Sequence, residues 1–396
     1  MRDVCVFTSS RADFGLLRPV LELIRGSAEL RLRLIASGTH LSSDFGYTKS
    51  EICDAGFNID EEVDIVVPSD TPEATCASMG LALTGIGKAL TRLAPDVLLL
   101  LGDRYETLCA AAAAQVCRIP VAHIHGGETS QGAFDEAFRH AVSKMSHFHF
   151  ASCDLHRNRI IQLGEQPDRV FDVGALGVQN ARRTELMCRS ELVDIVGSVD
   201  HPFFLVTFHP ATLEPESAVV QVDSLLEALD AFPGHDVLLT RANADTEGRE
   251  INQRLHAYAS LRSDRVVLAS SLGVRTYQSA MSHASAVVGN SSSGLLEAPI
   301  LGVPTVNIGD RQKGRVRTAS VIDCAPHTED IIAALRTACS IDFKASLENM
   351  THPCDRPDTD ARIVQYLSGE SLDGVLMKSF YDLAHGAKDE REVTNK

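Results

Sequence analysis

Asp96-Val97-Leu98-Leu99-Leu100-Leu101-Gly102-Asp103-Arg104-Tyr105-Glu106 is the stretch that decides the fold. Five consecutive apolar residues between Asp96 and Asp103 are too few to cross a membrane. They match a strand covered on both faces, as in a parallel sheet. A helical pattern over 106–117 follows, then a strand over 121–124. The alternation continues outward. Strands are predicted at 4–7, 32–36, 149–151 and 170–173, with helical patterns over 16–24 and 79–93. The second half repeats it, with strands at 203–208, 237–240, 266–269, 286–289 and 305–308. Helices are predicted there at 225–231, 251–260, 277–281 and 293–301. This order predicts an α/β protein of two Rossmann-like doubly wound domains facing a cleft. Gly174-Ala175-Leu176-Gly177 and Arg182-Arg183-Thr184-Glu185 interrupt the pattern. They put the junction near 175–200, with an N-terminal domain over 1–180 and a C-terminal one over 181–370.

Composition narrows the function. The 396 residues carry 37 Lys and Arg against 53 Asp and Glu, a formal charge of -16. That argues against nucleic acid or an anionic membrane as partner, because both are held by cationic surfaces. A small anion remains compatible, since a few backbone N–H groups and arginines suffice to hold one. Trp is absent and aromatics are 5%, which disfavours a stacking surface. None of the ten cysteines forms a CxxC pair, and Cys5, Cys109 and Cys117 lie in apolar runs. Free thiols and a start with no signal-peptide core lead us to expect a cytoplasmic protein. The charged tail 388–396 is expected to be disordered.

Ligands of such sheets bind beyond the carboxyl ends of the strands, so the loops there carry the candidate chemistry. Thr8-Ser9-Ser10-Arg11-Ala12-Asp13 makes an anion-friendly turn with Arg11 in reach, or more plainly a strand–helix connection capped by Asp13. It is not the GxGxxG dinucleotide fingerprint. Charges in Gly102-Asp103-Arg104 at the end of a buried strand are either paired or at work; the plainer role for Asp103 is a helix cap. In His123-Ile124-His125-Gly126-Gly127-Glu128 the two histidines would share a strand face. No third His or Cys has suitable spacing, so no metal is expected there. Asp135-Glu136-Ala137-Phe138-Arg139-His140 opens a helix. Asp103, Glu128 and Asp135 around one pocket would raise one another's pKa and suit acid–base work; solvated loop acids are the alternative. His209, in Thr207-Phe208-His209-Pro210, is an acid–base or phosphate partner, or a structural histidine. Gly289-Asn290-Ser291-Ser292-Ser293-Gly294-Leu295-Leu296-Glu297 suits a diphosphate, with Glu297 for ribose hydroxyls; the plainer reading is a Ser N-cap. The basic loop Asp310-Arg311-Gln312-Lys313-Gly314-Arg315-Val316-Arg317 lies close behind it in sequence.

Together these motifs, with Asn243-Ala244-Asp245, occur in the order found in the hydrolysing UDP-N-acetylglucosamine 2-epimerases of sialic-acid biosynthesis, which the chain resembles over residues 1 to about 320. The resemblance implies the glycosyltransferase-B fold, with a C-terminal helix over 371–385 packing back on the first domain. It implies elimination of UDP from UDP-N-acetylglucosamine across C1–C2, then hydration to N-acetylmannosamine, with no cofactor. Asp103, Asp135 and His209 match family catalytic positions. Where many relatives have Glu, this chain has His125, with Glu128 retained, so the acid–base role rests on one of those two. Arg11, Arg104, Ser291, Ser292, Glu297 and Arg311 match UDP-contacting positions, and Asn243 a further ligand contact. The family's Ser after the Arg11-Ala12-Asp13-Phe14 run is Gly15 here. A bacterial subgroup sharing His-Ile-His-Gly-Gly-Glu includes enzymes for UDP-2,4-diacetamido-2,4,6-trideoxyglucose on the way to legionaminic acid, which is the alternative substrate. A glycosyltransferase of the same fold, or a nucleotide-sugar sensor, are the other classes. A homodimer or homotetramer is the expected assembly.

Overall fold

The apolar run Val97–Leu101 forms a strand whose first four residues are wholly buried. The computed structural model describes residues 1–43, 46–69, 71–196, 201–211, 216–242, 247–269 and 272–383. Seven parallel strands form the first sheet: β1 (Arg2–Thr8), β2 (Leu30–Ser37), β3 (Glu61–Val63), β4 (Val97–Leu101), β5 (Val121–Ile124), β6 (Phe148–Ala151) and β7 (Val170–Asp172). Their spatial order is β3-β2-β1-β4-β5-β6-β7. Six more form the second: β8 (Phe203–Thr207), β9 (Asp236–Thr240), β10 (Val266–Ala269), β11 (Ala286–Gly289), β12 (Thr305–Ile308) and β13 (Val321–Cys324), in the order β10-β9-β8-β11-β12-β13. Both sheets are α/β and doubly wound, and both reverse direction at one switch point, between β1 and β4 and between β8 and β11. Helices cover both faces of the first sheet. Leu17, Leu21 and Ile24 pack on one side, and Ile86, Leu90 and Ala110 on the other.

Two strands lie outside the sequence expectation, β3 and β13. Both are edge strands, and Glu61, Glu62 and Asp323 break their apolar runs, because an edge is protected by charge rather than covered. The helix expected over 293–301 closes at Leu296, and turns follow as far as 302. Pro299 donates no backbone N–H and disfavours helical geometry in the residue before it. Ser10, not Asp13, is the cap of the first helix, Arg11–Gly26. Asp13 completes a capping box with it, and its carboxylate also accepts from the Ser9 N–H at 2.8 Å.

The helix expected over 371–385 is also displaced. Thr359–Gly369 is the helix that packs on Arg11–Gly26, burying Ile363 and Leu367 in the core of the first sheet. Tyr366 stacks on Phe171 of β7 with ring centroids 3.8 Å apart. Residues 371–383 hold turns and extended chain. Gly374 with its positive φ and the turn formers Ser371 and Asp373 suit turns. Lys378 within this segment pairs with Glu165 at 2.6 Å. The tail 388–396 lies outside the described residues. No helix among the described residues is long and apolar enough to cross a membrane.

Candidate active site

The loops at the two switch points carry most of the residues singled out from sequence. In the first sheet, Arg11 begins the helix after β1, and Asp103 and Arg104 follow β4. In the second, His209 follows β8 and Ser291 and Ser292 follow β11. The loop 126–132 after β5 meets the loop 309–315 after β12 face to face. Gln131 N–H donates to the Lys313 carbonyl at 3.2 Å, and a Cβ on Gly132 would lie 2.5 Å from the Asp310 carbonyl.

Arg139, buried in the helix Asp135–Met145, organises the first-sheet side. Its Nη2 pairs with Asp103 Oδ2, which also accepts from Ser130 Oγ at 3.4 Å; Oδ1 accepts no hydrogen bond from the described residues. Asp135 stands four residues earlier on the same helix, so its side chain shares the Arg139 face. Glu128 is buried and accepts from Arg315 Nη1 at 3.1 Å and from Ser152 Oγ at 2.8 Å. Burial works against its charge, but His125, Arg315 and Arg139 outweigh that and hold the carboxyl below its ordinary range. Burial also holds His125 below its ordinary value, so the imidazole is neutral near pH 7 and the two arginines are the lasting partners.

His125 does not share a strand face with His123. It leaves β5 with φ +64°, and its Nε2 accepts from the Leu176 N–H at 3.3 Å. The proton of neutral His125 therefore sits on Nδ1, which faces Glu128 Oε1 at 3.7 Å. Both ring nitrogens are directed into the protein. His123 is held inside the sheet, donating from Nε2 to the Gly102 carbonyl at 2.8 Å. Gly127 allows the close turn between them and Glu128: at φ +74° a Cβ there would lie 2.3 Å from the His156 carbonyl.

His209 anchors the second-sheet side. Asn290 fixes its backbone from both ends, with its Oδ1 accepting from His209 N–H at 2.7 Å and its Nδ2 donating to the His209 carbonyl at 2.8 Å. Burial drives the imidazole well below its ordinary pKa. Arg311, Arg104 and Arg11 add positive potential from three separate loops. Arg311 is itself held by the carbonyls of Pro210 and Asn290, at 3.2 and 3.1 Å, and Arg104 leans on Glu106 at 3.2 Å. Three guanidiniums converging on one neutral histidine form a cationic pocket on an acidic protein, which suits a diphosphate. Ser291 Oγ lies 3.0 Å from Ser293 Oγ, which meets Tyr277 Oη at 2.8 Å, and Ser292 stands at the start of the short helix Ser293–Leu296 without a capping hydrogen bond from its side chain. Asn243 lies outside the described residues.

Gly15 has a structural reason. A Cβ there would lie 2.6 Å from Val274, so the absent side chain lets the helices Arg11–Gly26 and Gly273–His283 meet across the two halves.

Sequence spacing did not single out Arg139 and Arg315 as site residues. Each keeps a buried Nε with no partner among the described residues. Arg139 followed Asp135 by one helical turn, and Arg315 stood in a basic run; neither pattern says which carboxylate each would meet. Nor did spacing reveal Cys153, His156 and Cys354 as neighbours, because Cys354 lies 201 positions beyond Cys153.

Residues 22–368 match the family model described as UDP-N-acetylglucosamine 2-epimerase. The chain belongs to that family. It is 37% identical to the GDP/UDP-N,N'-diacetylbacillosamine 2-epimerase (hydrolyzing) of Campylobacter jejuni, over 96% of this chain and 99% of that protein. It is 35% identical to the polysialic acid biosynthesis protein P7 of Escherichia coli, over 97% and 98%. Its fold matches the structure of UDP-GlcNAc 2-epimerase from Neisseria meningitidis bound to UDP-GlcNAc. The TM-score is 0.76 at 18% identity, covering 93% of this chain and 99% of that one. These matches establish the epimerase family and the glycosyltransferase-B-like arrangement of the two sheets.

Within this family member, Glu297 carries a testable electrostatic signature. Burial pushes its carboxyl up to about 7 from 4.5, and its side chain has no hydrogen-bond partner among the described residues. A carboxyl with a raised folded-state pKa takes up protons on folding between pH 4.5 and 7. Stability from this group is therefore present below that window and lost as pH rises through it. Glu297→Gln should stabilise the unliganded protein above pH 7 by roughly 2–3 kcal/mol and leave it unchanged near pH 4.5. Urea denaturation at both pH values checks this. Equal stability of the two proteins at pH 8 would remove the desolvated carboxylate.

Proposed function

We propose that this chain is a hydrolysing 2-epimerase acting on a UDP-activated 2-acetamido sugar. The observation that carries the reading is Asp103, with one oxygen fixed by Arg139 and Ser130, on the same cleft as the three-arginine pocket around His209. The diphosphate lies against Arg11, Arg104, Arg311 and His209, and Glu297 accepts from the ribose hydroxyls. Asp103 removes the proton from C2 as the C1–O bond to UDP breaks, leaving the glycal. Water then adds its hydroxyl to C1, and a proton returns to C2 on the opposite face, with Asp135 the second carboxyl for that transfer. The cationic pocket supports the departing diphosphate charge.

The near-full-length similarity to the Campylobacter enzyme, named for GDP- or UDP-linked N,N'-diacetylbacillosamine, supports that sugar, here tested as its UDP form, as the substrate. UDP-N-acetylglucosamine is the comparison substrate. The protein is incubated with each in deuterated water without any acceptor sugar, and the products are read by NMR. UDP release with deuterium at C2 of the free sugar is the expected result. UDP release that requires an acceptor, or a product without solvent label at C2, would sink the epimerase reading in favour of a glycosyltransferase. Turnover of UDP-N-acetylglucosamine alone would reverse the substrate assignment.

A further inference from the structure

One group of soft donor atoms stands beside the proposed sugar site without belonging to it. Cys153 ends the connection from β6, and His156 lies in the first turn of the helix Asp154–Gln162. Cys354 comes from the segment leading to the helix Thr359–Gly369. All three side chains are buried, and their donor atoms lie within 4.8 Å of one another. No other such group of three or more occurs among the described residues.

The tautomer of a neutral His156 follows from its hydrogen bonds. Ser152 Oγ donates its single proton to Glu128 Oε1 at 2.8 Å, because a carboxylate only accepts. The 2.7 Å contact between Ser152 Oγ and His156 Nδ1 must then be donated by the ring. Neutral His156 thus carries its proton on Nδ1, and Nε2 presents a bare lone pair. That nitrogen is buried and has no hydrogen-bond partner among the described residues. A ligating histidine whose other nitrogen is held in a hydrogen-bond chain to a carboxylate is the usual outer-shell arrangement of a metal site.

We propose that Cys153, His156 and Cys354 form a site for a thiophilic divalent cation of the zinc class, with its fourth position taken by water. Two thiolates and a neutral imidazole cancel the charge of such an ion, which matters because Ala175, Val178 and Leu296 make the surroundings apolar. Binding replaces two S–H protons with two metal–sulfur bonds and releases both protons. The ion would tie the end of β6 to the segment that returns the chain to the first sheet, and would fix Ser152, which holds Glu128.

The full-length reduced chain, stripped with chelator, is titrated anaerobically with Co²⁺ and then Zn²⁺. One equivalent of Co²⁺ should give thiolate-to-cobalt charge-transfer absorption and tetrahedral d–d bands, and Zn²⁺ should bleach both. This spectrum is read on the wild-type chain and needs no variant to fold. Cys354→Ala should weaken Zn²⁺ binding at least ~10-fold, whereas Cys109→Ala, buried elsewhere, should leave it unchanged. Absence of the thiolate–cobalt band in the wild type, or its persistence in the Cys153→Ala/Cys354→Ala double variant, overturns the site. So does recovery of Cys153 and Cys354 as a disulfide in protein that binds no Co²⁺ after reduction.

Discussion

Asp103→Asn should lower turnover by about two orders of magnitude or more while leaving UDP affinity within a few-fold. Asparagine keeps the size of the side chain and one carbonyl oxygen for Arg139 and Ser130, so the loop after β4 keeps its shape. What it loses is the charge and the basicity of the oxygen that takes no hydrogen bond from the described residues. In the proposed mechanism proton abstraction from C2 depends on that oxygen, whereas diphosphate binding depends on other side chains, Arg11 and Arg104 of the first-sheet side and Arg311 and His209 of the second. Steady-state kinetics with calorimetric UDP titration separates the two effects. Near-wild-type turnover would take Asp103 out of the chemistry. A joint loss of turnover and UDP affinity would make it a scaffold residue.

Glu128→Gln should destabilise the protein by about 3 kcal/mol or more, because it removes the negative charge from between buried cations. Arg315 Nη1 stands 3.1 Å from that carboxylate and Arg139 Nη1 3.9 Å from it. With the charge gone, two guanidiniums face each other across a buried amide. His125→Ala should cost less, about 1–3 kcal/mol, the scale for leaving the Leu176 N–H without its acceptor. The same order should hold in turnover, with Glu128→Gln the more damaging. Both His125 nitrogens point into the protein, which favours a positioning role beside Glu128 over contact with the sugar as the expected outcome. Urea denaturation and kinetics on the two variants test this, and restored activity in His125→Gln but not His125→Ala would support the positioning role. A greater turnover loss in His125→Ala than in Glu128→Gln, at equal folded fraction, would give the acid–base role back to the histidine.

The strands β4, β5, β10, β11 and β12 begin and end at the residues read from sequence. Four of these, β4, β5, β11 and β12, are central strands covered on both faces, so their mainly apolar runs mark their limits, and the edge strand β10 reads the same way because its run Val266-Val267-Leu268-Ala269 carries no charge. β3 and β13 carry charge because they are edges, and their strand character comes from pairing with β2 and β12 rather than from pattern. The crossing helix lies earlier in the chain than the resemblance implies. Thr359–Gly369 owes its position to the groove beside Arg11–Gly26 that buries Ile363 and Leu367, and no local spacing records that groove.

The sequence alone determined the class of fold, the loops that carry the chemistry and the residues that resemble an epimerase site, because each rests on short-range spacing: two for strands, 3.6 for helices, and a charged loop after each apolar run. Only the tertiary structure decided the partners. Arg315 reaches Glu128 across 187 positions, Leu176 claims a nitrogen of His125, and Cys354 joins Cys153 and His156. The first joins the loops of the two sheets, and the other two join segments distant in sequence at the strand ends of the first sheet. The strength of such a contact depends on burial and on the charges facing it, neither of which a position in the chain contains.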